Sequence, residues 1–461
     1  MIKKVLVANR GEIAVRIIRA CKEMRIKTVA VYSTVDKNSL HVMLADESYC
    51  IGGAKSKDSY LNMSNIISVA CLSGCDAIHP GYGFLSENAM FARTVERCGL
   101  IFIGPNPDII EKMGNKSMAR STMIAASIPV IPGSGILNTL EEAKKFAKKI
   151  KYPVLLKASN GGGGKGMRVV LKETELEDAY NITKAEALAN FGDDEIYMEK
   201  LLVDPKHIEV QVACDKHGNV VHLFERDCSI QRNKQKLIEE SPCTTLSKEL
   251  KEKMYEAAVK ACQFVNYDSV GTIEFLVKDN DFYFMEMNTR IQVEHTVTEM
   301  VTDIDLVKTQ IRISRKEPLH FKQEDVKINS HCIECRINAE DPDNGFKPTP
   351  GKITEIFLPG GKGIRIDGSI YAHYDVSPFY DSMLLKLIVF APTRLECIRK
   401  LRVALEELII DGVKTNVDYH YMISYIKSFI SGNYNIGFVE KLAKETDGFD
   451  KIISESKENS K

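Results

Sequence analysis

Residues 271–295 read GTIEFLVKDNDFYFMEMNTRIQVEH, and the reading of the rest of the chain starts here. Two runs rich in β-branched and aromatic residues flank Asp279-Asn280-Asp281, the signal of a β-hairpin. An extended chain alternates its faces with a period of two. In the first run Thr272, Glu274 and Leu276 therefore share one face, and Ile273, Phe275 and Val277 take the other. The second run is odder. Glu286, Asn288, Arg290, Gln292 and Glu294 alternate with Met287, Thr289, Ile291 and Val293, so a continuous strand to residue 295 would gather five polar groups on one face. A solvated surface strand is the plain alternative, but the order of acids, amides and arginine favours a site.

The hairpin sets Glu274 beside Glu286 and Asn288. Two carboxylates ~4 Å apart repel by roughly 4 kcal/mol at an effective dielectric near 20. A divalent cation between them removes that cost, and hard oxygen donors suit Mg²⁺ carrying nucleotide phosphates rather than zinc. Pairing of each acid with a nearby lysine is the competing reading.

Working outward, Asn160-Gly161-Gly162-Gly163-Gly164-Lys165-Gly166 lies between the apolar runs YPVLLKAS and MRVVL. Consecutive glycines let backbone N–H groups approach a phosphate without Cβ clashes. Ser159 and Gly166 stand where a P-loop needs Gly and Ser or Thr, and a strand follows rather than a helix. The pattern predicts a hairpin flap over a ligand; a plain flexible turn is the alternative. Lys157, inside the apolar VLLKA run, calls for an anionic partner.

The first hundred residues alternate strand and helix patterns. KVLVA leads into a helix with Ile13, Ile17, Cys21 and Met24 at three-to-four spacing, followed by KTVAVYS, a helix near 62–73, DAIHP and LIFIGP. This predicts a parallel, doubly wound sheet. Asn9-Arg10-Gly11-Glu12 offers one glycine where a dinucleotide fingerprint wants three, which sets NAD and FAD aside. Further on, a helix is expected over about 175–190 and another from Ser247 to about Val265. A third starts at the capping box Thr393-Arg-Leu-Glu396 and runs to Ile410.

Composition bounds the function. The 461 residues are 44% apolar and 27% charged, carry a net charge of −1 and have a pI near 6.8. No electrostatic footprint for nucleic acid or an anionic membrane is present. The N-terminal VLVA run is too short for a signal peptide, and nothing approaches the ~18 apolar residues that span a bilayer. Twelve scattered cysteines argue for a reducing cytoplasm, and the pairs Cys71/Cys75 and Cys332/Cys335 lack the further ligands of a zinc site, so buried thiols are expected.

The chain also contains, in order, ANRGEIAVRIIRAC, HPGYGFLSEN, FIGP, GNK, KASNGGGGKGMRVV, YMEK, ERDCSIQR, EMNTRIQVEH, ECRINAEDP, PGKI, FYDSM and ELIIDGVKTN. With these motifs it resembles the biotin carboxylase family, which has an ATP-grasp fold, from the first strand to about residue 442. The resemblance implies an N-terminal α/β domain (1–113), a lid region with the glycine flap (114–203) and a catalytic and C-terminal mixed β region (204–445), while the charged, serine-bearing end of the chain reads as a disordered tail (446–461). It implies an ATP-dependent ligase: bicarbonate is activated to carboxyphosphate, which delivers CO₂ to N1′ of biotin.

Residue by residue, the resemblance assigns Glu274, Glu286 and Asn288 to Mg²⁺ or Mn²⁺ and the phosphates. It assigns Arg290, Gln292, the Val293 backbone and Lys236 to bicarbonate, Glu294 to the general base, and Arg336 to the biotin enolate. Tyr82 is expected beside that pocket. ATP contacts carry over to Lys116, Lys157, Gly161, Gly162, Gly163, Gly164, Lys165, Gly166, Glu199, Lys200, Leu202, His207, Gln231, Leu276 and Ile436. On sequence alone Lys200 reads equally as a solvated strand end, and His207 as a satisfied surface histidine.

Lys234 stands where the family commonly has His or Asn, and Thr296 where Pro is common. The chain lacks an Ala-Met-Lys-Met motif, so biotin is expected on a separate carrier protein, and the further partner expected is a carboxyltransferase subunit. Acetyl-CoA, propionyl-CoA and pyruvate all remain open as final acceptors, and a homodimer is implied. Two other readings stand beside this one: an ATP-grasp ligase acting on a carbamate or peptide-like substrate, and a nucleotide-binding regulator without catalysis. The conjunction of Arg290, Gln292, Glu294, Lys236 and Arg336 favours the carboxylase.

Overall fold

The apolar run after Lys3 forms β1 (Lys4–Val7), and β2 (Lys27–Ser33), β3 (Glu47–Gly52), β4 (Ala77–His79) and β5 (Ile101–Phe102) join it in a sheet of order β3-β2-β1-β4-β5, with every pair parallel. The first strand lies in the middle, as a doubly wound sheet requires. Helix α1 (Gly11–Glu23) starts at Gly11, whose φ of +65° only glycine adopts without cost, and buries Ile13, Ile17 and Cys21. The Asn9 amide donates to the carbonyls of Pro80 and Tyr82, each at 2.7 Å. The turn after β1 is thus an anchor for the PGYGF loop rather than a phosphate cradle. Strand β3 escapes the sequence pattern because three of its six residues are exposed.

This computed structural model describes residues 2–158, 166–191 and 193–445. The chain forms two units, a larger one comprising residues up to Ile128, Lys206–Phe275 and from Glu286 on, and a smaller one comprising Pro129–Pro205 and Leu276–Met285. In the smaller unit β6 (Val154–Ala158) is the centre of an antiparallel sheet with β7 (Met167–Val170) and β8 (Ile196–Lys200) at its edges. Val154, Leu156 and Ala158 alternate inward onto Leu176, Ala179, Tyr180 and Ala187 of α2 (Leu176–Phe191). The flap residues Gly161, Gly162, Gly163, Gly164 and Lys165 lie outside the described residues.

The larger unit is organised by an eight-stranded sheet. Its strands are β9 (Lys206–Cys214), β10 (Val220–Arg232), β11 (Gln235–Ser241), β12 (Val270–Lys278), β13 (Asp281–Asn288), β14 (His331–Asn338), β15 (Ile364–Gly368) and β16 (Met383–Ala391), in the order β13-β12-β9-β10-β11-β14-β16-β15. Two tight turns are dictated by residue type. Asp279 and Asn280 (φ 50° and 67°) close the β12–β13 hairpin, and Asn233 and Lys234 (φ 49° and 66°) close β10–β11. Two left-handed residues in succession make the turn whose twist matches the flanking strands. Lys234, the first departure from the family pattern, is therefore a turn residue. Apolar positions of β14 and β16 pack with Cys397, Ile398, Leu401 and Leu405 of α5 (Arg394–Glu407) into the C-terminal core.

Three expectations need correction. The polar strip is not one strand: β13 stops at Asn288, residues 289–294 turn, and α4 (His295–Thr302) begins with Glu294 as its N-cap. The turn wins because the strip's amides and arginine bond inward to neighbouring acids. The third helix ends at Glu407, not Ile410, since Leu408 is extended and Ile409–Ile410 pair with Ile356–Phe357. Cys71 is exposed, although all twelve cysteines are free as expected. Helix α3 (Lys248–Val265) matches its reading, with the Ser247 hydroxyl accepting from the Leu250 N–H at 3.2 Å. Among the described residues no helix is long and apolar enough to cross a membrane.

Candidate active site

Glu294 sits at the turn into α4 with its carboxylate fully buried. Lys236, from β11, donates to its Oε1 at 2.5 Å, and Arg336, from β14, donates to its Oε2 at 3.0 Å. Burial alone would favour the neutral acid, but Lys236, Arg336 and the nearby Arg226 hold Glu294 well below the usual carboxylate range. Lys236 also reaches Glu209 Oε2 at 2.6 Å and Glu274 Oε1 at 3.1 Å. Burial works against its ammonium, yet the three acids keep its pKa well above the ordinary lysine value.

The second corner is built on Glu274 of β12. Its Oε1 accepts from the Asn288 amide at 2.8 Å and the Gln292 amide at 2.9 Å, and His207 Nε2 stands 3.1 Å from its Oε2. Arg290 ties the turn together, donating to Gln292 Oε1 at 2.7 Å, Asn288 Oδ1 at 2.8 Å and Glu87 Oε2 at 2.7 Å. Every polar group of the strip beyond the strand end thus reaches the same cluster by turning. Burial, then the charge of Glu274, raises the pKa of Glu286, so the two acids do repel. Lys116, the first residue of the helix Lys116–Ala125, is the cation whose charge acts most on Glu286.

The remaining assignments in the larger unit have the following neighbours. The Val293 carbonyl accepts from Lys386 at 2.7 Å; Lys386 is also 3.4 Å from Glu12, which in turn accepts from the Tyr82 hydroxyl. Gln231 is the register partner of Lys236 across the β10–β11 turn. Ile436 follows Tyr434, whose ring lies 4.1 Å beneath the Lys206 ammonium.

Several site residues were missed. Glu209 joins Lys236 to Arg226, a wholly buried arginine that also reaches Gln211, Thr272 and Thr298. Glu87 is the partner of Arg290, and Glu239 of Arg336. A signal existed for Glu209, because His207, Glu209 and Gln211 alternate through the apolar HIEVQVAC run. Glu87 and Glu239 carry none, because their partners lie far away in sequence.

In the smaller unit Lys157 finds its anion: it pairs with Glu199 on the neighbouring strand and lies 5.9 Å over the Tyr197 ring. Lys200 donates to the carbonyls of Lys151 (2.9 Å) and Tyr152 (3.0 Å), which rules out a merely solvated strand end. A cavity of about 270 Å³ is lined by Lys200, Leu202, Pro153, Asp281 and Tyr283 among others. Leu276 continues β12 into this unit, and Gly166 (φ +69°) accepts from the Ala158 N–H at 2.8 Å.

Acids on adjacent strands with an adjoining asparagine suit a divalent cation carrying nucleotide phosphates, the donor set an ATP-dependent ligase needs. Residues 115–322 match the ATP-binding domain of the carbamoyl-phosphate synthase L chain, residues 1–110 the biotin carboxylase N-terminal domain, and residues 334–441 its C-terminal domain. The chain is 53% identical over 443 residues to biotin carboxylase 1 of Bacillus subtilis, covering 95% of this chain and 98% of that one. It is 50% identical to a pyruvate carboxylase subunit of Methanothermobacter thermautotrophicus, covering 99% and 94%. Among solved structures it is similar to the biotin carboxylase domain dimer of Hydrogenobacter thermophilus 2-oxoglutarate carboxylase, in complex with MgADP, ADP and bicarbonate. The TM-score is 0.87 at 49% identity, covering 96% and 98%. The chain belongs to the biotin carboxylase family.

Proposed function

We propose that this protein is the biotin carboxylase subunit of a biotin-dependent carboxylase, using ATP and bicarbonate to carboxylate biotin borne on a separate carrier protein. The observation that carries the reading is Glu294, a buried carboxylate clamped between Lys236 and Arg336, with Lys236 also reaching Glu274. Held ionised, Glu294 takes the proton of bicarbonate, whose oxygen then attacks the terminal phosphorus of ATP. Arg290 and Lys236 provide the positive charge that receives bicarbonate, with Gln292 fixing its orientation. ADP leaves as carboxyphosphate forms. Carboxyphosphate splits into CO₂ and phosphate, the phosphate takes the N1′ proton, and N1′ bonds to the CO₂ while Arg336 stabilises the negative charge on the biotin oxygen.

The donor set of Glu274, Glu286 and Asn288 fits a hard divalent cation, and the repulsion felt at Glu286 is what such an ion relieves. Mg²⁺ or Mn²⁺ held there would neutralise the nucleotide phosphates. Lys116, Lys157, Gly166, Glu199, Lys200, Leu202, His207, Gln231, Leu276 and Ile436 are the proposed nucleotide contacts, and Val293 and Tyr82 the further walls of the bicarbonate and biotin pocket. We assign a cytoplasmic site of action and a homodimer, the latter supported by the dimeric relative. A carboxyltransferase subunit would pass the carboxyl group to acetyl-CoA, propionyl-CoA, pyruvate or a related acceptor.

The test is ADP release by the purified protein. Release that requires bicarbonate and rises with free biotin is expected. Release indifferent to both would overturn the reading.

A further inference from the structure

Behind Arg336 lies a pair of buried acids that neither the metal nor the bicarbonate assignment uses. Glu239 on β11 and Glu334 on β14 are register partners across adjacent antiparallel strands. Their side chains therefore leave the same face of the sheet, with Cβ atoms about 4.5–5.5 Å apart. Both are 0% exposed. Glu239 Oε1 accepts from Arg336 Nε at 2.6 Å and stands 2.5 Å from Nη2, the nitrogen that also donates to Glu294 Oε2 at 3.0 Å. Glu334 Oε2 accepts from the Thr296 hydroxyl. One oxygen of each acid, Glu239 Oε2 and Glu334 Oε1, is buried with no hydrogen-bond partner. Two ionised carboxylates placed so would leave two charged, unpartnered oxygens buried on one face of the sheet, and one proton shared between the acids relieves both faults.

We propose that Glu239 is the positioning residue that aims the Arg336 guanidinium at Glu294, and that Glu239 and Glu334 together carry a single proton, held on Glu334 while Glu239 clamps the arginine. The surroundings agree. Arg336, Glu294 and Lys236 face Glu239, and its pKa is raised by burial, against the pull of Arg336, to about 7. Lys386 and Arg336 face Glu334, with the Tyr82 hydroxyl and the Cys332 and Cys335 thiols close enough to feel its charge. Glu239 takes two guanidinium nitrogens whereas Glu334 takes only a hydroxyl, and burial pushes Glu334 up, so Glu334 is the acid that keeps the proton. As the pH falls through about 7 Glu239 becomes neutral as well, and the guanidinium loses its charged anchor.

The inference rests on the carboxylase reading for its kinetic consequence and on infrared spectroscopy for the proton itself. In bicarbonate- and biotin-dependent ADP release, Glu239→Gln is expected to lower kcat about a hundredfold with the KM for MgATP unchanged, a loss of the size seen when an electrostatic stabiliser is removed. It should also abolish the acid limb expected of the parent near pH 7. Glu239→Asp should restore part of both, and Glu334→Gln should keep the limb. Between about pH 7 and 8 the parent should show the infrared absorption of a protonated buried carboxyl that Glu334→Gln lacks. A parent without bicarbonate-dependent activity would end the carboxylase reading and leave the infrared arm to decide the pair. A Glu239→Gln enzyme with the parent's kcat and pH profile, or a Glu334→Gln protein that keeps the absorption, would overturn the inference.

Discussion

Glu294 gains its chemical character from its neighbours, not from its position on the helix it begins. It makes no cap bond to that helix, and both of its oxygens go to cations. Glu294→Gln should therefore lower bicarbonate-dependent kcat by roughly 10²–10⁴-fold, the usual worth of a positioned general base. Nucleotide affinity, measured by calorimetry, should stay within a few-fold of the parent. Thr296, the second departure from the family pattern, occupies the first turn of α4 and donates to Glu334. Thr296→Val should cost about 1–3 kcal/mol in urea unfolding, the penalty of leaving a buried acceptor unmet. At this scale the sequence was partly legible. Arg290, Gln292 and Glu294 stood out by alternation, although that alternation was read as a strand and is a turn. Glu87, Glu209, Arg226 and Glu239 were not singled out, because what makes them matter is a partner from another part of the fold.

The elements that were legible are those whose pattern follows from their own packing. Strand β2, α3 and the Asp279-Asn280 turn fall where periodicity and turn chemistry place them. Strand β3 and the Ile409–Ile410 bridge exist only through their partners, so local patterns could not announce them. One element is held by charge. Arg394 donates to the carbonyls of Phe429 (2.8 Å) and Ile430 (2.6 Å) and to Glu240 (2.7 Å), which also accepts from Tyr434 and lies 3.0 Å from His331. This clamp fixes the segment leading to Ile436. Burial alone would raise Glu240; His331 and Arg394 more than offset it and bring its pKa from 4.5 down to about 2. A depressed carboxylate stabilises above its unfolded value, and the contribution is lost as the pH falls from 4.5 towards about 2. Glu240→Gln should thus lose roughly 3 kcal/mol in urea unfolding at neutral pH, a deficit that shrinks below pH 4.5. Its KM for MgATP should rise while kcat holds.

At the scale of the whole molecule, ligand binding and stability are linked. MgATP at a hundred times its dissociation constant should add about 2.7 kcal/mol to the folded state and raise the melting temperature. Glu274→Gln should blunt the part of that rise that depends on the divalent ion, and a scan with ATP in chelator gives the reference. If the full Mg²⁺-dependent rise survives in Glu274→Gln, Glu274 does not hold the ion. The overall class was legible because its motifs recur in fixed order along the chain, whereas the final acceptor is not encoded in them: relatives about as similar as these are a biotin carboxylase, a 2-oxoglutarate carboxylase domain and one part of a pyruvate carboxylase.

A lysine ammonium has three hydrogens to give, and Lys236 has given all of them, to Glu209, Glu274 and Glu294. An anion drawn to this ammonium would meet three glutamates already competing for the same hydrogens, so its affinity is set by that competition and not by free charge.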